Sequence, residues 1–90
     1  MSQAAADPAE LRRFAGSLRR FVQDMQAQTI AMRSQMQGLG QSWRDQEYQK
    51  FVDEYEQALV VFARMLDGAE QFVPFLTRKA ERIEEYLQQR

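Results

Sequence analysis

Apolar residues recur at alternating steps of four and three through nearly the whole chain, and the recurrence is interrupted once. Leu11, Ala15, Leu18, Val22, Met25, Thr29, Met32, Met36 and Leu39 make the first run, with Thr29 its only polar member. Phe51, Tyr55, Ala58, Phe62, Met65, Ala69, Phe72 and Leu76 make the second. After one extra step of four, a small slip in the seam, it continues through Ala80, Ile83 and Leu87. This spacing marks helices that pack along a seam. With four glycines and two prolines in 90 residues, few positions can stop a helix. The expectation is a single all-α domain over residues 1–90, an antiparallel helix-turn-helix hairpin.

The ends of the two runs carry the corresponding signals. Asp7-Pro8-Ala9-Glu10 combines an N-cap, a proline at the first helical position and a capping-box glutamate. Gly38 and Gly40 are placed as left-handed C-caps, and Ser42 or Asp45 can cap the second helix. Helix one is expected over about 8–37, a turn over about 38–45 and helix two over about 46–89. Gly68 and Pro74 predict a kink near 70–74 without a full break, because the apolar period continues past them. At about 1.5 Å per residue the helices are roughly 45 and 65 Å long, so roughly fifteen residues of helix two should project past helix one.

The apolar surface is too wide for a hairpin alone. Phe14 and Phe21 flank the helix-one seam, and Val52, Leu59, Val60, Val61, Leu66, Val73 and Phe75 broaden helix two. Such faces suit a bundle of three or four helices, and the simplest source of the missing helices is a second copy. The expected fold is therefore a hairpin that dimerises into a four-helix bundle. Its interface is expected to draw on Leu11, Phe14, Leu18, Phe21, Val22, Met25, Met32 and Met36 of helix one. Tyr55, Phe62, Met65, Phe72 and Leu76 of helix two complete it.

Composition removes several function classes. The net charge is −1, which argues against a general nucleic-acid binder. There is no cysteine and no histidine, so no thiolate nucleophile, no imidazole base and neither of the usual nitrogen and sulfur metal ligands. No phosphate-cradling glycine loop or inward-facing acid pair is present, and neither an enzyme nor a cofactor is expected. Asp53, Glu54 and Glu56 avoid the seam and read as solvated. Arg12, Arg13, Arg19 and Arg20 repeat at seven residues and read as an ion-pairing edge. Residues 41–67, with six acids and three bases, offer it a complementary surface. No apolar run approaches the roughly 18 residues of a membrane span. MSQAAADPAE has no signal-peptide pattern, so the expected location is cytoplasmic or secreted without one.

The turn itself, LGQSWRDQEYQKF, holds the single tryptophan. Trp43 with Phe51 eight residues on and Leu39 four residues before, between two long helices, resembles the WXG (ESAT-like) superfamily of small helical hairpins. Asp45 stands where that family's glycine would be, and Trp43-Arg44-Asp45 looks like its Trp-x-Asp branch, which includes antiparallel homodimers. The Asp7-to-Phe14 helix start is similar too. The resemblance implies a dimer, with itself or with a sister hairpin, and a type VII-like secreted factor or an adaptor for a secretion ATPase or effector. The export signal Tyr-x-x-x-Asp/Glu is not met, since Arg90 follows Tyr86 by four residues. An intracellular structural or chaperone-like bundle is the alternative. Physically, an aspartate suits a helix start, where exposed N–H groups need an acceptor. Trp43 is expected to bury its ring against Leu39 and helix two, its indole N–H near water or a carbonyl, as a plug at the turn or as part of a groove.

Overall fold

The computed structural model describes residues 6–89; the N-terminal residues read for a leader, and Arg90, lie outside the described residues. Two helices, α1 (Pro8–Gly38) and α2 (Gln46–Gln88), fold back on each other as a rod about 70 Å long and 16 Å across. A short 3-10 turn, Leu39–Gln41, extends α1 before the chain reverses. Asp7 accepts a bond from the Ala9 N–H at 2.9 Å, and Pro8 follows it at the first helical position, where its missing N–H costs nothing. α2 passes through Gly68 and Pro74 without a break. Among the described residues no helix is long and apolar enough to cross a membrane.

The seam between the helices differs from the expected one on the α2 side. α1 turns Leu11, Ala15, Leu18, Val22, Met25, Thr29 and Met36 inward, as its spacing predicts. Met32 and Leu39, although in the same run, stay exposed. α2 turns in Val52, Tyr55, Leu59, Phe62, Leu66, Ala69, Val73, Leu76, Ala80 and Ile83, at alternating steps of three and four with no slip. Phe51, Ala58, Met65 and Phe72, expected in that seam, lie exposed on its flank, and Leu87 is exposed as well. The cause is the position of the acids. With α2 in its observed rotation, Glu56, Glu70 and Glu84 meet Arg33, Gln26 and Arg12 of α1. Rotating Phe51 and Met65 inward would carry all three glutamates away from α1.

Two further expectations are corrected. No described glycine adopts a left-handed conformation, and Gly38 is helical with φ −64°. The end of α1 is instead tightened into the 3-10 turn, which supplies i→i+3 bonds to its last carbonyls. Nor does a long tail of α2 project. Ala80 and Ile83 are buried, and Glu84 receives the Arg12 guanidinium. Between the Arg33–Glu56 and Arg12–Glu84 pairs α1 advances 21 residues and α2 28. Pairing is therefore not residue for residue, and the Arg12–Glu84 contact holds the far part of α2 against the start of α1.

Candidate functional site: the turn and the two unlike faces

The turn is built around one carboxylate. Asp45 is the N-cap of α2, and its Oδ1 accepts the Glu47 N–H at 2.9 Å. The same oxygen accepts the Trp43 indole N–H at 2.8 Å. The indole partner is thus a side-chain carboxylate and not the water or carbonyl expected from sequence. Both bonds are charge-assisted and lie at the positive end of a helix. A glycine at position 45 could make neither, which gives the Trp-x-Asp spacing a physical reason. Ser42 does not cap α2; its hydroxyl turns back to the Leu39 carbonyl.

Tyr48 closes the other side of the turn. Its hydroxyl lies 3.3 Å from the Met36 carbonyl and 3.4 Å from that of Gln37, two of the last carbonyls of α1, and so adds a side-chain donor to those that the backbone supplies there. Its ring passes so close to Gly40 that a Cβ there would meet Tyr48 atoms at 3.0 to 3.2 Å. Gly40 is therefore needed for close approach and not for its dihedral freedom. Arg44 Nε donates to the Gln41 carbonyl at 3.1 Å, satisfying the 3-10 turn. Neither Tyr48 nor Arg44 was singled out by sequence reading; a tyrosine one turn into a helix that follows a glycine-rich break was the available signal.

Aromatic rings continue from the turn along α2. Trp43 meets Tyr48 edge-on at 5.5 Å and Phe51 at 5.6 Å, and Phe51 meets Tyr55 at 5.7 Å. Each spacing is within the range of favourable aromatic pairs. Trp43 is half-buried, so it braces the turn without being sealed in it. Beside it, Met32, Gln35, Met36, Leu39, Phe51 and Tyr55 line an open, largely apolar groove of about 270 Å³. Trp43 does not line the groove; it backs Phe51, which does.

The two long sides of the hairpin are chemically unlike. On one, Arg12 Nη2 donates to Glu84 at 2.6 Å, Gln26 Nε2 to Glu70 at 3.4 Å and Arg33 Nε to Glu56 at 3.0 Å. The bond from Arg12 holds the Glu84 carboxyl below its ordinary range, and Glu84 in turn raises Arg12. Along this side runs a wider groove of about 670 Å³ with a mixed lining, Arg19, Asp67 and Glu70 on its walls beside Val22, Val73 and Pro74. The basic edge of α1 thus finds its acid at Glu84, not in residues 41–67, and only Arg33 reaches that stretch. Among the described residues, Arg13, Arg19 and Arg20 make no ion pair.

Among the described residues the opposite side carries no such bonds. Phe14 and Phe21 of α1, with Phe51, Met65 and Phe72 of α2, flank the inner seam away from the glutamates and are exposed. In an antiparallel pair the like flanks of two helices meet, so these residues share one face; the groove common to Met32, Leu39 and Phe51 agrees. The residues expected at a dimer interface therefore divide. Val22 and Met36 are buried inside the hairpin, and Leu11, Leu18, Met25, Tyr55, Phe62 and Leu76 are half-buried at its seam. Phe14, Phe21, Met32, Met65 and Phe72 are exposed.

A family model described as proteins of 100 residues with WXG matches residues 3–88. Comparison with curated proteins and with solved structures finds no match.

Proposed function

The chain belongs to the WXG100 family, and from that premise we propose that it is a type VII-like secreted factor or secretion-associated adaptor. It acts by protein–protein binding as a dimer and catalyses nothing. One observation carries this reading: the hairpin has an ion-paired face and, opposite it, a bare apolar face with Phe14, Phe21, Met65 and Phe72 exposed. A contiguous apolar face of this kind marks an interaction surface. A second copy laid on it closes a four-helix bundle.

Charge favours an antiparallel arrangement of the two copies. Residues 25–70, the half with the turn, hold seven acids and four bases. Segments 6–24 and 71–89, the open half, hold six acids and seven bases. Antiparallel copies set the acidic half of each against the more basic half of the other. Each end of the dimer then presents a turn with its Trp43–Asp45 latch, and these ends are the docking points for a secretion ATPase or an effector.

Export tests the secretion part. Tagged protein should accumulate in the medium of intact cells, and deletion of a type VII-like ATPase encoded by the same organism should abolish it. Equal retention inside cells with and without that ATPase would favour the intracellular bundle instead.

A further inference from the structure

Gly68 has no role inside the hairpin. It lies in the interior of α2, where glycine costs about 1 kcal/mol relative to alanine. Its φ is not positive, and a Cβ added there would meet nothing within 4 Å. Yet it sits at the centre of a bulky apolar ring. Val61 and Met65 precede it by seven and three residues, Phe72 and Phe75 follow it by four and seven, and all four therefore share its side of α2. They are exposed by 58%, 64%, 59% and 60% respectively. A gap in the middle of four exposed large side chains is a hole shaped for a knob.

The stripe through this hole is complementary to itself when reversed. It reads Glu54, Ala58, Val61, Met65, Gly68, Phe72, Phe75 and Lys79, at steps of four and three. Antiparallel to a second copy, Met65 falls opposite Gly68, Val61 opposite Phe72, Ala58 opposite Phe75 and Glu54 opposite Lys79. Each larger side chain meets a smaller one, and the ends meet with opposite charge. A parallel pairing sets methionine on methionine, phenylalanine on phenylalanine and glutamate on glutamate. The centre of the reversed pairing lies between Met65 and Gly68, which is also the middle of α2 (Gln46–Gln88), so the two helices overlap along their whole length.

We infer that Gly68 is the socket for Met65 of a second copy of this chain, and that this stripe of α2 fixes the antiparallel register of the dimer. The inference rests on the dimer reading above and goes beyond it in naming the stripe and the contact at its centre. It also gives Gly68 a purpose that offsets its cost in helix stability.

Sedimentation equilibrium on the full chain tests it, because substitution at Gly68 has opposite consequences with and without a partner. In an unpartnered helix Gly68→Leu improves helix propensity, and its Cβ enters open space. In the socket it overpacks against Met65, and the dimer dissociation constant should rise about tenfold or more. The exchange Met65→Ala with Gly68→Met should recover most of that loss, since it returns a large residue opposite a small one. A second pair reads the register without touching the socket. Glu54→Lys and Lys79→Glu should each weaken association several-fold at low salt, and the double variant should regain it. A dimer of undiminished affinity in Gly68→Leu, or charge variants that fail to compensate, overturns the socket while the dimer reading stands. A wild-type chain that stays monomeric across a hundredfold concentration range overturns both.

Discussion

At the scale of single residues, the turn depends on two close contacts of different kinds. Asp45 accepts two N–H groups with one oxygen. Asp45→Ala should therefore cost more than an ordinary cap, about 1–2 kcal/mol, and Asp45→Asn, which keeps an acceptor oxygen, clearly less. Thermal unfolding followed by Trp43 fluorescence measures both, and equal stability of the alanine and asparagine variants would falsify the shared-acceptor account. The glycines give a sharper contrast. Gly38 has open space where a Cβ would go, so Gly38→Ala should raise the melting temperature through helix propensity alone. Gly40→Ala should lower it, because Tyr48 must move from the last carbonyls of α1 to make room. If that is the cause, the cost of Gly40→Ala should largely disappear when it is made in a Tyr48→Ala background, a non-additivity expected only of touching residues. The sequence offers Ser42 or Asp45 as the cap and Trp43 as a plug or part of a groove, but not the bond between Trp43 and Asp45. That bond depends on how the chain turns between Trp43 and Asp45, and residue types do not specify it.

At the scale of the helices, what was legible was the period, and what was not was the rotation. Both α1 and α2 begin and end within about a residue of their expected bounds, because caps, prolines and glycines act locally. The inward face of α1 was also readable, since only one stripe of that helix is continuously apolar. α2 is apolar over an arc wide enough to hold two adjacent seams. One runs through Val52, Leu59, Leu66 and Val73, the other through Phe51, Ala58, Met65 and Phe72. Spacing alone cannot rank them. The choice is made by Glu56, Glu70 and Glu84, which border the first seam and find partners on α1. Those pairs are exposed and weak individually, and their value is in register more than in stability. The Glu84 carboxyl is held below its ordinary value of 4.5 by the bond from Arg12. A lowered carboxylate contributes stability that is fully present above the unfolded value and is lost as pH falls through the folded one. Comparing melting temperatures of wild type and Glu84→Gln at neutral pH and near pH 3 checks this. A small deficit of the variant at neutral pH should vanish in acid, and should also shrink in high salt.

At the scale of the whole molecule, a rod about 70 Å long and 16 Å across has too little interior to bury its aromatic residues. Among the described residues only seven hydrophobic ones are buried, and Val22 is the largest nearly sealed side chain among them. Stability of the isolated hairpin must then be modest, and a partner on the apolar face would supply much of what is missing. This separates two classes of substitution. Phe21 is exposed in the hairpin, on the apolar face and away from the ion pairs. Phe21→Glu should leave the hairpin's own packing intact, yet place a charge in the centre of a dimer interface, where an unpaired carboxylate is strongly unfavourable. Val22, its neighbour in sequence, is almost fully buried between α1 and α2. Val22→Ala should loosen the hairpin itself, by roughly 1–3 kcal/mol. Solution mass and helical circular dichroism, measured together across a dilution series, tell the two apart. Phe21→Glu should reduce the mass to that of one chain at concentrations where wild type is dimeric, and its melting point should no longer depend on concentration. Val22→Ala should melt earlier at every concentration while keeping that dependence. If Phe21→Glu instead stays dimeric, the partner does not sit on the aromatic face, and the polar side with Arg19 and Asp67 becomes the surface to map.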